Sequence, residues 1–183
     1  IRNFHNKNKF SQNFKKYFKE GMKENTCLIV PIVYASQSGN SLHVSKLISD
    51  KIKQNISNID MPIISIDEFS LMNFSKDSKN NLIIFVCSTY GQGDFPFHAQ
   101  HFYNILVSDV LPKDFLKNFN FAIFGMGDSS YEKYNFASLK LYNALKSLGG
   151  HMIIERGMGN IQDKNGYYTA LYPWIDQMVK YFT

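Results

Sequence analysis

The chain has 183 residues, 44% hydrophobic and 15% aromatic, enough for one domain with a full core. No apolar stretch approaches the roughly 20 residues of a membrane span, and Cys and His nowhere take metal-ligand spacing. The net charge of +5 sits entirely in residues 1–26, where seven Lys and Arg oppose two Glu; elsewhere 13 basic groups balance 13 acidic ones.

A start at Ile1 rather than Met predicts a fragment of a longer protein. In the basic lead-in, Phe10, Phe14, Tyr17 and Phe18 fall at helical spacing. Docking on the domain or a solvated linker is expected ahead of membrane-surface binding, which stays open. Nucleic acid is not an expected partner, since the basic face is short and lies outside the folded unit. Cys27 and Cys87 border apolar runs and are expected as buried free thiols in a reducing compartment.

Ile32, Val33, Tyr34 and Ala35 read as a buried strand, with Pro31 at its first residue and residues 28–30 as lead-in. The loop Ser36-Gln37-Ser38-Gly39-Asn40-Ser41 follows, then a helical stripe of Leu42, Val44, Leu47, Ile48 and Ile52. Strand, small polar loop and helix start make an anion site, because first-turn N–H groups and the macrodipole favour negative charge. The loop lacks Lys and Arg, which excludes the triphosphate-binding loop, and the dinucleotide fingerprint Gly-x-Gly-x-x-Gly is absent from the chain. A phosphate would be held by hydroxyls and backbone alone. The competing reading is an ordinary strand–helix turn capped by Ser41.

Further strands are expected at 61–66, 81–87, 119–124 and 152–154, with a polar stretch over 67–80. Helices are expected around 99–107, over 136–148 with a stop at Gly149-Gly150, and over 167–182. Alternating strands and helices, with near-continuous apolar strands, predict an α/β fold: a parallel sheet covered by helices on both faces. The loops 36–41, 88–95, 126–135 and 157–166 all follow strands, so all fall at the carboxyl edge, where open α/β sheets bind ligands. A phosphate at the first loop, with Tyr90 and Tyr131 on two others, describes a phosphorylated ligand with a flat ring. A flavin mononucleotide suits two sandwiching tyrosines better than a single base does.

In order and spacing, Ser36 to Ser41, Ser88-Thr89-Tyr90-Gly91-Gln92-Gly93-Asp94 and Gly125-Met126-Gly127-Asp128-Ser129-Ser130-Tyr131 resemble the three FMN-binding loops of flavodoxin-like domains. More narrowly they are similar to the FMN domains of diflavin reductases, over residues 27–183. The resemblance implies a three-layer sandwich around a five-stranded parallel sheet of order 2-1-3-4-5, with 1–26 as a separate lead-in. It implies that Ser36, Gln37, Ser38, Gly39, Asn40 and Ser41 bind the FMN phosphate while Tyr90 and Tyr131 flank the ring. Gly91 would present backbone near the flavin N5 atom, where a glycine peptide flips at little cost. Ser88, Thr89, Gly93, Met126, Gly127, Asp128, Ser129, Ser130 and Asn135 complete the implied site, with no catalytic side chain and no metal. A phosphate without a cationic partner would disfavour extra negative charge on the reduced ring.

The resemblance further implies FAD and NADPH on a C-terminal part outside this chain, and a redox protein as acceptor. Ile84-Phe85-Val86-Cys87, the residues Lys133, Asn135 and Phe136, and Pro173-Trp174 look nearest to the branch that feeds cytosolic iron–sulfur cluster assembly. The branch that reduces haemoproteins shares the Thr89-Tyr90-Gly91 loop, and a freestanding flavodoxin is a further alternative. A cytoplasmic location is implied, or the cytosolic face of the endoplasmic reticulum for the haemoprotein branch. Three departures stand out: Asn40 replaces the usual Thr, Asn160 and Ile161 replace an acidic pair, and Phe95-Pro96-Phe97-His98 replaces a more acidic edge. An apolar partner contact at Phe95 and Phe97 is therefore expected. A signalling receiver of similar topology lacks support, since loop 36–41 carries no acidic cluster. A flavin-free interaction module with the same loops is the reading from another class.

Overall fold

A computed structural model describes residues 27–71 and 82–183; the basic lead-in and its expected helical spacing lie outside the described residues. In chain order the strands are β1 (Leu28–Ile29), β2 (Ile32–Ala35), β3 (Ile59–Asp60), β4 (Ile63–Ser65), β5 (Leu82–Ser88), β6 (Asn120–Gly127), β7 (His151–Met152) and β8 (Gly157–Asn160). The helices are α1 (Asn40–Asn55), α2 (Gln100–Leu106, entered through a 3-10 turn at Phe97–Ala99), α3 (Phe136–Ser147) and α4 (Tyr168–Phe182).

The longest apolar run lies in the middle of the sheet. β5 is buried from Leu82 to Cys87 and pairs in parallel with β2 on one side and β6 on the other. Its side chains alternate between two cores. Ile83, Phe85 and Cys87 meet Phe102 and Leu106 of α2 and Leu141 and Leu145 of α3. Leu82, Ile84 and Val86 meet Val44, Ile48 and Ile52 of α1 and Leu171, Trp174 and Ile175 of α4. Burial on both faces is why the run carries no polar alternation. The expected polar stretch after position 66 also contributes to the first core, through Phe69 and Leu71.

Spatial order is β4-β2-β5-β6, with β7 and then β8 beside β6, and every pairing is parallel. The sheet order implied by the resemblance is thus present, but two of its strands are interrupted. Leu28 faces Ile59 and Ile32 faces Ile63 in one register, so β1–β2 and β3–β4 are two long strands broken where Pro31 and Pro62 stand opposite each other. Ile66 N–H donates to the Tyr34 carbonyl at 3.0 Å; two rows back, position 62 has no N–H to offer Val30. Pro31 is therefore inside the strand rather than at its first residue. Its missing N–H faces the very start of β5, and its carbonyl still accepts from Ile84 at 3.0 Å.

The last strand is interrupted differently. Phe121 faces Met152 but Phe124 faces Gly157, so two extra residues bulge out between β7 and β8. Residues 157–160, expected as loop, are strand. Gly157 and Gly159 sit against Phe124: a Cβ at Gly157 would overlap that ring and approach Trp174 Cδ1 to 2.9 Å. The Trp174 indole packs edge-on to Phe124 at 5.5 Å and donates to the Glu155 carbonyl of the bulge at 3.1 Å. After α3 the chain turns as Gly149-Gly150 predicts, with Gly149 N–H bonding Lys146 and Gly150 N–H bonding Leu145, both at 3.0 Å.

Cys87 is buried and burial pushes its thiol up to about 12, while Cys27 is only half-buried, against expectation. Among the described residues no helix is long and apolar enough to cross a membrane, and no group of His, Cys, Asp and Glu could hold a metal ion.

Candidate functional site

Because every strand of the sheet is parallel, the turns that follow β2, β5, β6 and β8 share one edge. The first begins with Ser36 and hands over to α1 at Gly39, whose φ of +87° is a left-handed conformation that side chains disfavour. Asn40 and Ser41 therefore belong to the first helical turn, and Ser41 is not the cap. The N-cap residue Gly39 has no side chain to cap α1, and no acidic residue occupies its first turn. The Ser36 hydroxyl accepts from Ser41 N–H at 3.2 Å, folding the loop back on the helix start. Gln37, Ser38, Gly39 and Asn40 are exposed. The Ser41 hydroxyl is fully buried and has no hydrogen-bond partner, a costly state unless a ligand completes it. His98 enters from the second turn, its Nε2 accepting from Ser36 N–H at 3.4 Å.

The second turn is tied down on three sides. The Ser88 hydroxyl donates to the Ala35 carbonyl at 3.1 Å, Thr89 N–H donates to Met126 at 2.9 Å, and Thr89 Oγ1 accepts from Ala137 N–H of α3 at 3.3 Å. Tyr90 and Asp94 exchange backbone hydrogen bonds of 2.8 Å, closing a tight loop over Gly91, Gln92 and Gly93. Gly93, at φ +88°, lies beneath Lys133, so a Cβ there would approach Lys133 Cβ to 2.9 Å. Asp94 pairs with Lys140 of α3 at 3.2 Å. With its backbone so held, Tyr90 still exposes 56% of its surface.

The third and fourth turns are fused. The Asn160 side-chain oxygen accepts from Ser129 N–H at 3.0 Å and Gln162 N–H at 3.1 Å, while its nitrogen donates to Ser129 Oγ at 2.9 Å and Asp163 Oδ1 at 3.0 Å. Asp128 Oδ1 accepts from the Ser130 hydroxyl (2.6 Å), Ser130 N–H (2.9 Å) and Gln162 Nε2 (2.9 Å). The Ser130 hydroxyl above all, then its N–H, holds the Asp128 carboxyl below the usual carboxylate range. Tyr131, 63% exposed, follows directly, its N–H on the Asp128 carbonyl at 3.2 Å.

Of the predicted site residues, Met126, Gly127 and Asn135 are buried behind these turns rather than open at the edge. Met126 belongs to the core shared with α1 and α4. Asn135, at φ +54°, donates to the Gly159 carbonyl at 3.1 Å, and its side-chain oxygen is buried without a partner. Arg156, half-buried, donates to Ser138 Oγ at 2.6 Å and to the Asn135 carbonyl at 3.3 Å. Burial lowers its pKa. His98, Arg156, Asn160 and Gln162 escaped the sequence reading as site residues; His98 and Asn160 stood out there only as departures from a more acidic pattern. Phe95 corrects the reading: it is buried and packs on the Tyr103 ring at 4.7 Å, leaving Phe97, 80% exposed, as the only open aromatic of the expected pair.

Residues 32–174 match the protein-family model described as Flavodoxin. The chain belongs to the flavodoxin family. This flavodoxin domain is 36% identical over 144 residues to NADPH-dependent diflavin oxidoreductase 1 of Arabidopsis thaliana, covering 79% of this chain and 22% of that protein. It is 32% identical over 146 residues to the Danio rerio protein of the same name, covering 80% and 24%. The chain thus spans under a quarter of the length of these relatives. Oxidised Flavodoxin 1 from Bacillus cereus shares the fold, with a TM-score of 0.61 and 24% identity over 85% of this chain and 99% of that one. Flavodoxin domains bind FMN, and the first turn fits its phosphate: a helix start with a glycine N-cap and no acidic residue, hydroxyl-bearing residues and one hidden hydroxyl that lacks a partner.

Proposed function

We propose that this flavodoxin domain is the FMN module of an NADPH-dependent diflavin reductase. In this reading NADPH reduces an FAD on another part of the protein, and electrons pass through the FMN to a protein acceptor. The two relatives named above, and the fraction of their length that the chain covers, support that placement. The acceptor proposed is a cytosolic iron–sulfur assembly factor. The observation that carries the reading is the partnerless Ser41 hydroxyl buried in a cation-free turn at the carboxyl edge.

Bound FMN would supply stepwise electron transfer, chemistry that belongs to the cofactor. The residues 36–41 would hold its phosphate through hydroxyls and N–H groups. Ser88, Thr89, Tyr90, Gly91 and Gly93 would line one side of the ring, and Asp128, Ser129, Ser130 and Tyr131 the other. Met126, Gly127 and Asn135 would support both turns from behind. Phe97 would be the apolar point of contact with the acceptor.

Visible absorption and fluorescence of the purified protein, followed by release and identification of any chromophore, test the reading. Stoichiometric FMN, bound more weakly by Tyr131→Ala, is the expected result. A colourless protein that takes up no added FMN would remove it. Reduction of a haemoprotein in preference to an iron–sulfur protein by the full-length reductase would reassign the acceptor.

A further inference from the structure

We infer that Asn160 is the positioning residue that sets the pose of Tyr131, and with it the ring-side share of flavin affinity; this rests on the FMN reading above. A side-chain amide has two acceptor and two donor positions. Asn160 uses all four: two bonds reach Ser129 in the turn after β6, and two hold Gln162 and Asp163 in the turn after β8. Gln162, whose N–H it anchors, reaches back to Asp128 at 2.9 Å. Ile161 N–H adds a backbone bond to Gly127 at 3.0 Å. The result is one closed lip running from Asp128 to Asp163, and Tyr131 stands at its open end with 63% of its surface free.

The aspartate and alanine variants break this pattern. An aspartate keeps the two accepted bonds, loses both donated ones and sets a carboxylate against Asp163. Alanine loses all four. The phosphate turn lies after a different strand and shares none of these bonds. A defect at Asn160 should therefore fall on the ring alone.

The test titrates the flavin-free 183-residue chain with FMN and with riboflavin, following flavin fluorescence. Asn160→Ala should weaken both ligands by the same factor, roughly tenfold, and leave the bound flavin brighter because Tyr131 quenches it less. In a Tyr131→Ala background Asn160→Ala should add nothing further, since both changes remove one interaction. Asn160→Asp should behave like Asn160→Ala and serves if the alanine variant does not fold. Unchanged affinities, additive effects in the double variant, or a loss confined to FMN would overturn the inference. A wild-type chain that binds neither flavin would overturn the FMN reading itself.

Discussion

Ser41 illustrates how a site reveals itself at the scale of one residue. Its backbone carbonyl accepts from Ser45 Oγ at 2.8 Å and its N–H is bound by Ser36, yet its own hydroxyl is buried without a partner. An unmade bond of this kind costs about 1–3 kcal/mol in the free protein. Ser41→Ala should therefore leave the melting temperature of the flavin-free protein equal or higher. FMN affinity should meanwhile fall about tenfold, the loss of roughly one hydrogen bond to a charged group. Riboflavin, which has no phosphate, should bind as before. Calorimetry together with paired titrations checks all three, and an equal loss for both flavins would show that the hydroxyl does not meet the phosphate. Asn160 is the opposite case, a polar side chain with every position filled, and its consequence is rigidity rather than vacancy.

Among the elements, the last strand matters most for the site, since β8 delivers Asn160 to the lip. β8 runs beside β6 only because Gly157 and Gly159 let the Phe124 ring lie on the strand, while Trp174 of α4 fills the bulge. Gly157→Ala should force the Phe124 ring or the strand aside and cost roughly 1–3 kcal/mol, the usual penalty for overpacking a filled core. Urea unfolding measures it as a lowered midpoint at unchanged slope. An unshifted midpoint would mean that the Phe124 ring can rotate away freely. Helix α4 explains why Trp174 is so placed: Leu171, Trp174, Ile175 and Met178 fall at intervals of three and four and are all buried.

In the whole molecule, both faces of the sheet are covered, and this governs the cysteines. Cys87 lies at the centre of one core with its thiol pushed from 9.0 up to about 12, whereas Cys27 is half-buried near the start of the first strand. A thiol reagent should label Cys27 in the native protein and Cys87 only after unfolding. The same burial makes stability fall at alkaline pH. The neutral thiol is favoured in the fold, so its contribution is complete below the unfolded value near 9 and is lost as pH rises toward 12. The stability difference between wild type and Cys87→Ala should shrink by about 1.4 kcal/mol per pH unit in that window. A constant difference would contradict the burial.

Local sequence determined a good deal. The apolar run of β5 read as a strand covered on both faces and Gly149-Gly150 as the stop of α3, and both are so in the fold. The alternation of such strands with helices placed the small polar turns on one edge, and three of those turns carried the resemblance to flavodoxin-like domains. These signals are legible because each depends on residues close together in the chain. What the tertiary structure alone decided depends on residues far apart. Pro31 is tolerated inside a strand because its missing N–H faces the first residue of β5 and Pro62 breaks the opposite ladder at the same level. Phe95, apolar in a polar neighbourhood, is drawn under Tyr103 instead of remaining exposed beside Phe97. Asn160 looked like a lost charge in the sequence and is a four-bonded clamp in the fold, because its partners Ser129 and Asp163 meet only when β8 is laid beside β6.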